Sequence, residues 1–215
     1  METRFRDLAE RQPELLAHHY TQAAMAIEAL DGWERAARLA ASRSALPEAI
    51  DHLTSALAVA ARLPADPARE QIELRLQLLL AGQLIATEGY GAQRVEEAYA
   101  RAADLCRSAG DDIALLKTQL GLEGYHFMRA DFAKAQAIAE QPETLARRSG
   151  DPMRELQSQW AVANLCFHQG ELASAVAQMD LCLEKYRRLG ARRWVIQDPG
   201  VMCLCYSAWG KWELG

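Results

Sequence analysis

"DDIALLKTQLGLEGYHFMRADFAKAQAIAEQPETLARRSG" runs from Asp111 to Gly150, and "DPMRELQSQWAVANLCFHQGELASAVAQMDLCLEKYRRLG", Asp151 to Gly190, repeats it at a 40-residue offset without a gap. Asp111 falls on Asp151, Gln119 on Gln159 and Phe127 on Phe167. Ala133, Ala135 and Ala137 fall on Ala173, Ala175 and Ala177, and Arg147 and Arg148 on Arg187 and Arg188. Each unit reads as two helices. The leading Asp caps the first, which ends at "MRAD" or "HQGE"; arginines in the last turn of the second complement its dipole, and a glycine stops it. Such a self-similar pair is the signature of a helical repeat, in which neighbouring units bury one another's apolar faces.

A 40-residue period suits a HEAT-like unit or a lengthened tetratricopeptide unit, and small residues favour the second. Ala135 and Ala175 let the second helix approach the first, and Gly170 stands where a tetratricopeptide turn wants one. Ala163 fits the other small position, whereas Glu123 departs from it, and Pro142, opposite Cys182, should kink or split its helix. The expected fold is therefore all-α, a right-handed α-solenoid of antiparallel helix pairs.

Composition agrees. The 215 residues are 50% hydrophobic and only 7% aromatic, with Ala and Leu dominant and Val, Ile and Thr sparse, which favours helix nearly throughout. "METRFRDLAERQPELL" has no apolar core of a secretory signal, and "LRLQLLLAGQLIA" is too short for a membrane span and holds Arg75. A soluble cytoplasmic protein with its five cysteines reduced is expected. A net charge of −5 speaks against a dedicated nucleic-acid surface.

Outside the pair the pattern loosens. "PAREQIELRLQLLLAGQLIATEG" and "AQRVEEAYARAADLCRSAG" form another hairpin joined through Gly89 to Gly91, and the two prolines of "RLPADPARE" mark a boundary between Arg62 and Glu70. Three shorter helices precede it, Pro13 to about Ala24, about Ala26 to Ala41, and Pro47 to Leu63. "ARRWVIQDPG" reads as a loop and Val201 to Leu214 as one further helix. The expected organisation is an N-terminal helical segment, 1–64, and repeats over 65–215, divided as 65–110, 111–150, 151–190 and an incomplete 191–215. The unpartnered last helix points to a piece of a longer protein, with Met1 and Gly215 not necessarily native ends, or to self-association through that helix.

"PELLAHHYTQAAMAIEALDGWERAARLAASRSALPEAIDHLTSAL", "IATEGYGAQRVEEAYARAADLC" and "QDPGVMCLCYSAWGKWELG" carry a resemblance over essentially the whole chain, most specifically in "LLAHHY" and "QDPGV" with the "CL" and "Y" that follow. The chain resembles the C-terminal tetratricopeptide region of large bacterial proteins in which a class III adenylate/guanylate cyclase domain and an AAA/STAND-type signal-transduction ATPase precede the repeats. Ala24 where a glycine is usual, Gly32 where an aromatic is usual, and Pro142 depart from the pattern. The resemblance implies a non-catalytic interaction and regulatory module whose partner is a protein or peptide, with the parent's own ATPase domain a candidate. The alternatives are a metabolite sensor and an arm of a STAND-type transcription regulator.

No catalytic site is expected. No phosphate-binding G-x-x-x-x-G-K-[ST] occurs, since Lys211 after Gly210 is followed by Trp212, and there is no H-E-x-x-H or nucleophile elbow. His18 and His19 lie about 100° apart on a helix and cannot face one metal; one is expected to be packed or hydrogen-bonded at a helix contact and the other exposed. Cys203 and Cys205 diverge likewise, and they, Cys106, Cys166 and Cys182 read as small buried apolar groups. Neither a metal nor a cofactor is expected.

The candidate binding surface is the inner face of the first helices: Lys117, Leu120, Gly124, Phe127 and Met128, then Gln157, Trp160, Asn164, Phe167 and His168. Aromatics beside amides and a cation suit an extended peptide or a small polar ligand, although the recurrence of Phe127 and Phe167 fits a core position equally. "KYRRLGARR" is a second candidate: Lys185, Arg187, Arg188, Arg192 and Arg193 could grip an acidic group or be a solvated helix end.

Overall fold

A computed structural model describes residues 12–190 and 198–215, and all regular structure among them is helical. The chain divides into two compact units, Met1–Gly110 and Asp111–Gly215. The first holds α1 (Pro13–Gln22), α2 (Ala26–Ser42), α3 (Leu46–Ala60), α4 (Pro67–Glu88) and α5 (Gln93–Ala109). The second holds α6 (Asp112–Met128), α7 (Phe132–Ser149), α8 (Pro152–His168), α9 (Leu172–Leu189) and α10 (Pro199–Leu214). Among the described residues no helix is long and apolar enough to cross a membrane.

Local chemistry accounts for the helix ends. Pro13, Pro47, Pro67, Pro152 and Pro199 open their helices, where a fixed φ helps and the missing N–H costs nothing. Asp66, Asp111, Asp131, Asp151 and Asp198 accept hydrogen bonds from first-turn backbone N–H groups.

One tight turn recurs between helices. Ala24, Ser44, Ala130 and Gly170 all adopt positive φ, 56°, 60°, 58° and 85°. The next residue donates its N–H to the carbonyl five back: Met25 to Tyr20 (2.9 Å), Ala45 to Ala40 (3.0 Å), Asp131 to His126 (2.9 Å), Glu171 to Cys166 (2.9 Å). These left-handed caps satisfy the last carbonyls of one helix and reverse the chain into the next. Ala130 and Gly170 are 40 residues apart, so the sequence repeat is a repeat of backbone conformation too.

In the first unit, Gly32 of α2 lies so close to α1 that a Cβ there would come 2.9 Å from Ala17 Cβ and 3.1 Å from its Cα. The absence of the expected aromatic at 32 is thus required by the crossing. The two prolines of "RLPADPARE" do end helix between α3 and α4, yet these helices pack on each other, and the compact units divide later, at Gly110 and Asp111. Antiparallel α4 and α5 are tied by Arg101, whose guanidinium donates to both oxygens of Glu73 (2.6 and 2.9 Å), and by Ser108 to Glu70 (3.3 Å).

In the second unit, α8 lies between α7 and α9. Leu165 packs on Ala135 and Ala139 of α7, while Met153, Leu156, Ala163 and Phe167 form a core with Ala175, Met179, Cys182 and Leu183 of α9 and Cys203 of α10. Ala135 and Ala175 are fully buried at these contacts, Ala135 beside Leu165 of the following helix and Ala175 in the core shared with α8. Three expectations change. Pro142 does not split α7, which continues from Phe132 to Ser149 with the ring fully buried. The last helix starts two residues early, at Pro199, because Asp198 caps it through Gly200 N (2.8 Å) and Val201 N (3.1 Å). Cys205 is exposed and Cys166 half-buried, although Cys106, Cys182 and Cys203 are buried.

Candidate functional site

A continuous row of rings runs across α6, α8 and α10. Phe127, at the end of α6, packs edge-on against His168 of α8 at 4.9 Å between centroids and beside Phe132 at 5.8 Å. Phe167 meets Tyr206 and Trp209 of α10 at 5.0 and 5.2 Å, Trp160 meets Tyr206 at 5.5 Å, and His168 reaches the same tyrosine at 5.7 Å. Partial desolvation against the neighbouring rings lowers the His168 pKa from its ordinary value.

The row is part core, part surface. Phe167 is buried and belongs to the α8–α9 core, and Phe127 is half-buried against Ala135, Ala139 and Leu165. Trp209 is 50% and Met128 60% exposed, so apolar surface remains open on this side. The Trp209 indole N–H donates to Glu213 one turn on (3.0 Å), which fixes the ring. Leu120, Gly124, Gln157, Trp160 and Asn164 are half-buried beside the row, Lys117 and His168 are exposed, and the Asn164 Oδ1 is buried without a hydrogen-bond partner.

Tyr206 and Trp209 were not among the residues picked from sequence. Seven further residues, 191–197, separate Gly190 from Asp198 and break the 40-residue register that located the other rings. The signal was present in "DP": Asp198-Pro199 repeats the capping pair Asp151-Pro152.

α6 also holds an unusual carboxyl. Glu123 holds the position of Ala163, is only 7% exposed, and burial pushes its pKa up to about 8. One turn before it Gln119 donates from Nε2 to Gln141 Oε1 of α7, and the Gln119 Oε1 is buried and unpartnered. At neutral pH Glu123 is therefore mainly the neutral acid.

The basic stretch is divided. Lys185 turns onto α8, donating to Gln159 Oε1 (2.9 Å) with Glu155 at 4.0 Å, while Arg187 and Arg188 are exposed at the end of α9, Arg188 beside Glu184 (3.7 Å). Arg192 and Arg193 lie outside the described residues. His18 and His19 are both exposed, so neither packs; the His18 ring nitrogen is hydrogen-bonded, to the Gln22 side-chain amide one turn on within α1 (2.9 Å) rather than at a contact with another helix. Among the described residues no group of three or more His, Cys, Asp or Glu could hold a metal ion.

No family model matches the chain, and no curated protein matches it.

Proposed function

We propose that the chain is a tetratricopeptide-like solenoid segment serving as a non-catalytic interaction module of a larger cytoplasmic bacterial signalling protein of the cyclase/STAND ATPase kind. The shared turn at Ala130 and Gly170 and the placing of α8 between α7 and α9 support the repeat reading. One observation carries the binding reading. The rings of Phe127, His168, Phe167, Tyr206 and Trp209 run across three first helices and end in a half-exposed, oriented tryptophan. Tyr and Trp offer large rigid contact area at small entropic cost and dominate binding hot spots. The occupant of this face is a protein segment, with the parent's ATPase region the first candidate.

Calorimetric titration of the chain with the ATPase region encoded beside it tests this. Trp209→Ala is expected to weaken binding at least about tenfold, roughly 1.4 kcal/mol or more, whereas Arg188→Ala should leave it unchanged. No binding by the wild type, or binding indifferent to Trp209, would reject the reading. A metabolite that raises the melting temperature and loses its effect in Trp160→Ala would transfer the site to a small-molecule sensor.

A further inference from the structure

Cys182 of α9 and Cys203 of α10 meet inside the second unit. Both are buried, 1% and 0% exposed, in one core with Leu156 and Met179. Their thiols share a hydrogen bond, which places the two sulfurs side by side across the contact between the helices.

Neither cysteine follows the repeat. Forty residues before Cys182 stands Pro142, and Cys203, five residues after the capping Asp198, answers to Leu156, five after Asp151. Packing alone asks for an apolar group at such a place, and Leu156 supplies one at full burial. The two departures together put one thiol beside another, and a dithiol has a redox chemistry that proline and leucine lack.

The surroundings distinguish the two partners. The hydrogen bond from Cys203 lowers the Cys182 pKa, with burial opposing it and the charge of Lys185 on the same helix adding to it. The shared hydrogen bond and burial raise that of Cys203. Cys182 is therefore the thiol that ionises first, and the thiolate is the nucleophile in thiol oxidation.

We propose that Cys182 and Cys203 form a reversible redox site, oxidised by hydrogen peroxide to a disulfide that ties α9 to α10. The Cys182 thiolate attacks one peroxide oxygen and the O–O bond breaks. A sulfenic acid is left on Cys182, and the departing hydroxide takes up the proton that the thiol gave up, forming water. The Cys203 sulfur then attacks the sulfenic sulfur, the S–O bond breaks, and the Cys203 proton leaves with that hydroxide as a second water. Two thiols lose two electrons and two protons, and the peroxide is reduced to two waters. Cys203 lies three residues before Tyr206 and six before Trp209. The bridge thus fastens to the core the helix that presents those rings to Phe167.

The test treats the intact chain with hydrogen peroxide at neutral pH, blocks the remaining thiols with iodoacetamide in urea, and maps unreduced peptides by mass spectrometry. The expected product joins the Cys182 peptide to the Cys203 peptide and is lost on adding dithiothreitol. The oxidised chain should melt roughly 5–10 °C above the reduced one, because the bridge closes the stretch 183–202 into a loop. Cys205→Ser removes an exposed thiol outside the pair and should leave both the link and the shift in place. Cys182→Ser should abolish both, and the peptide map of the wild type decides the matter even where that variant does not fold. Recovery of Cys182 and Cys203 as alkylated thiols while Cys205 is oxidised would overturn the proposal. So would a link that forms only after the chain is unfolded in urea, or Cys182 carried to a sulfinic acid with Cys203 still a thiol.

Discussion

Glu123 places a carboxyl where its counterpart in the next repeat has a methyl group, Ala163. Its pKa is about 8 in the fold against an ordinary 4.5, so the folded state holds a proton that the unfolded chain releases more readily. Below about pH 4.5 both states are protonated and the site carries no penalty. Between pH 4.5 and 8 stability should fall as pH rises, by up to about 1.4 kcal/mol per unit, and above 8 the dependence levels off. Urea denaturation at pH 5.5 and 7.5 should show Glu123→Gln with a clearly smaller loss than the wild type; equal losses would mean that the carboxyl is solvated. Gly32 is the other residue whose environment decides its identity. A methyl there meets the Cβ, Cα and N of Ala17, none of which can swing aside as a long side chain can, so Gly32→Ala should cost about 1–3 kcal/mol. Faster amide exchange in Pro13–Gln22 would locate the damage on α1. Sequence reasoning marked both residues as departures from a pattern, but a departure has no sign until the neighbouring helix is in place.

The turns govern the elements. An L-residue in the left-handed region costs about 1–2 kcal/mol, while introducing glycine raises the entropy of the unfolded chain by about 0.4–1 kcal/mol. The first effect wins, so Ala130→Gly at φ 58° should stabilise the protein by about 0.5–1 kcal/mol, read as a higher urea midpoint at unchanged m-value. The opposite change, Gly170→Ala at φ 85°, should destabilise it. Helix existence and order were legible because capping aspartates, opening prolines and alanine spacing are local signals acting within a few residues. The start of α10 was less legible. Asp198 was assigned to the loop, yet its side chain caps the helix and also accepts from the Tyr186 hydroxyl (2.7 Å), a contact twelve residues away in sequence. The row of rings was half legible for a similar reason: Phe127, Trp160, Phe167 and His168 follow the repeat, whereas Tyr206 and Trp209 enter through packing across a break in register.

At the scale of the molecule the repeat register and the compact units answer different questions. The proline-rich stretch from Arg62 to Glu70 interrupts helix but not packing, because α3 and α4 meet across it, whereas Gly110 closes one compact unit and Asp111 caps the first helix of the next. Each unit therefore has its own apolar interior. In the second it consists of Leu156, Ala163, Phe167, Met179, Cys182 and Cys203, with Ala135, Ala139 and Leu165 beside them, all between Asp111 and Gly215. An interior supplied from within one unit should fold without the other. The fragment Asp111–Gly215 is expected to keep its helical circular dichroism and to melt in one cooperative step. Removing Pro199–Leu214 from that fragment should broaden or abolish the step, since Cys203 leaves the core and Phe167 loses its contacts with Tyr206 and Trp209. If the intact fragment melted without cooperativity, its core would depend on residues before Asp111, and the unit of folding would be the whole chain.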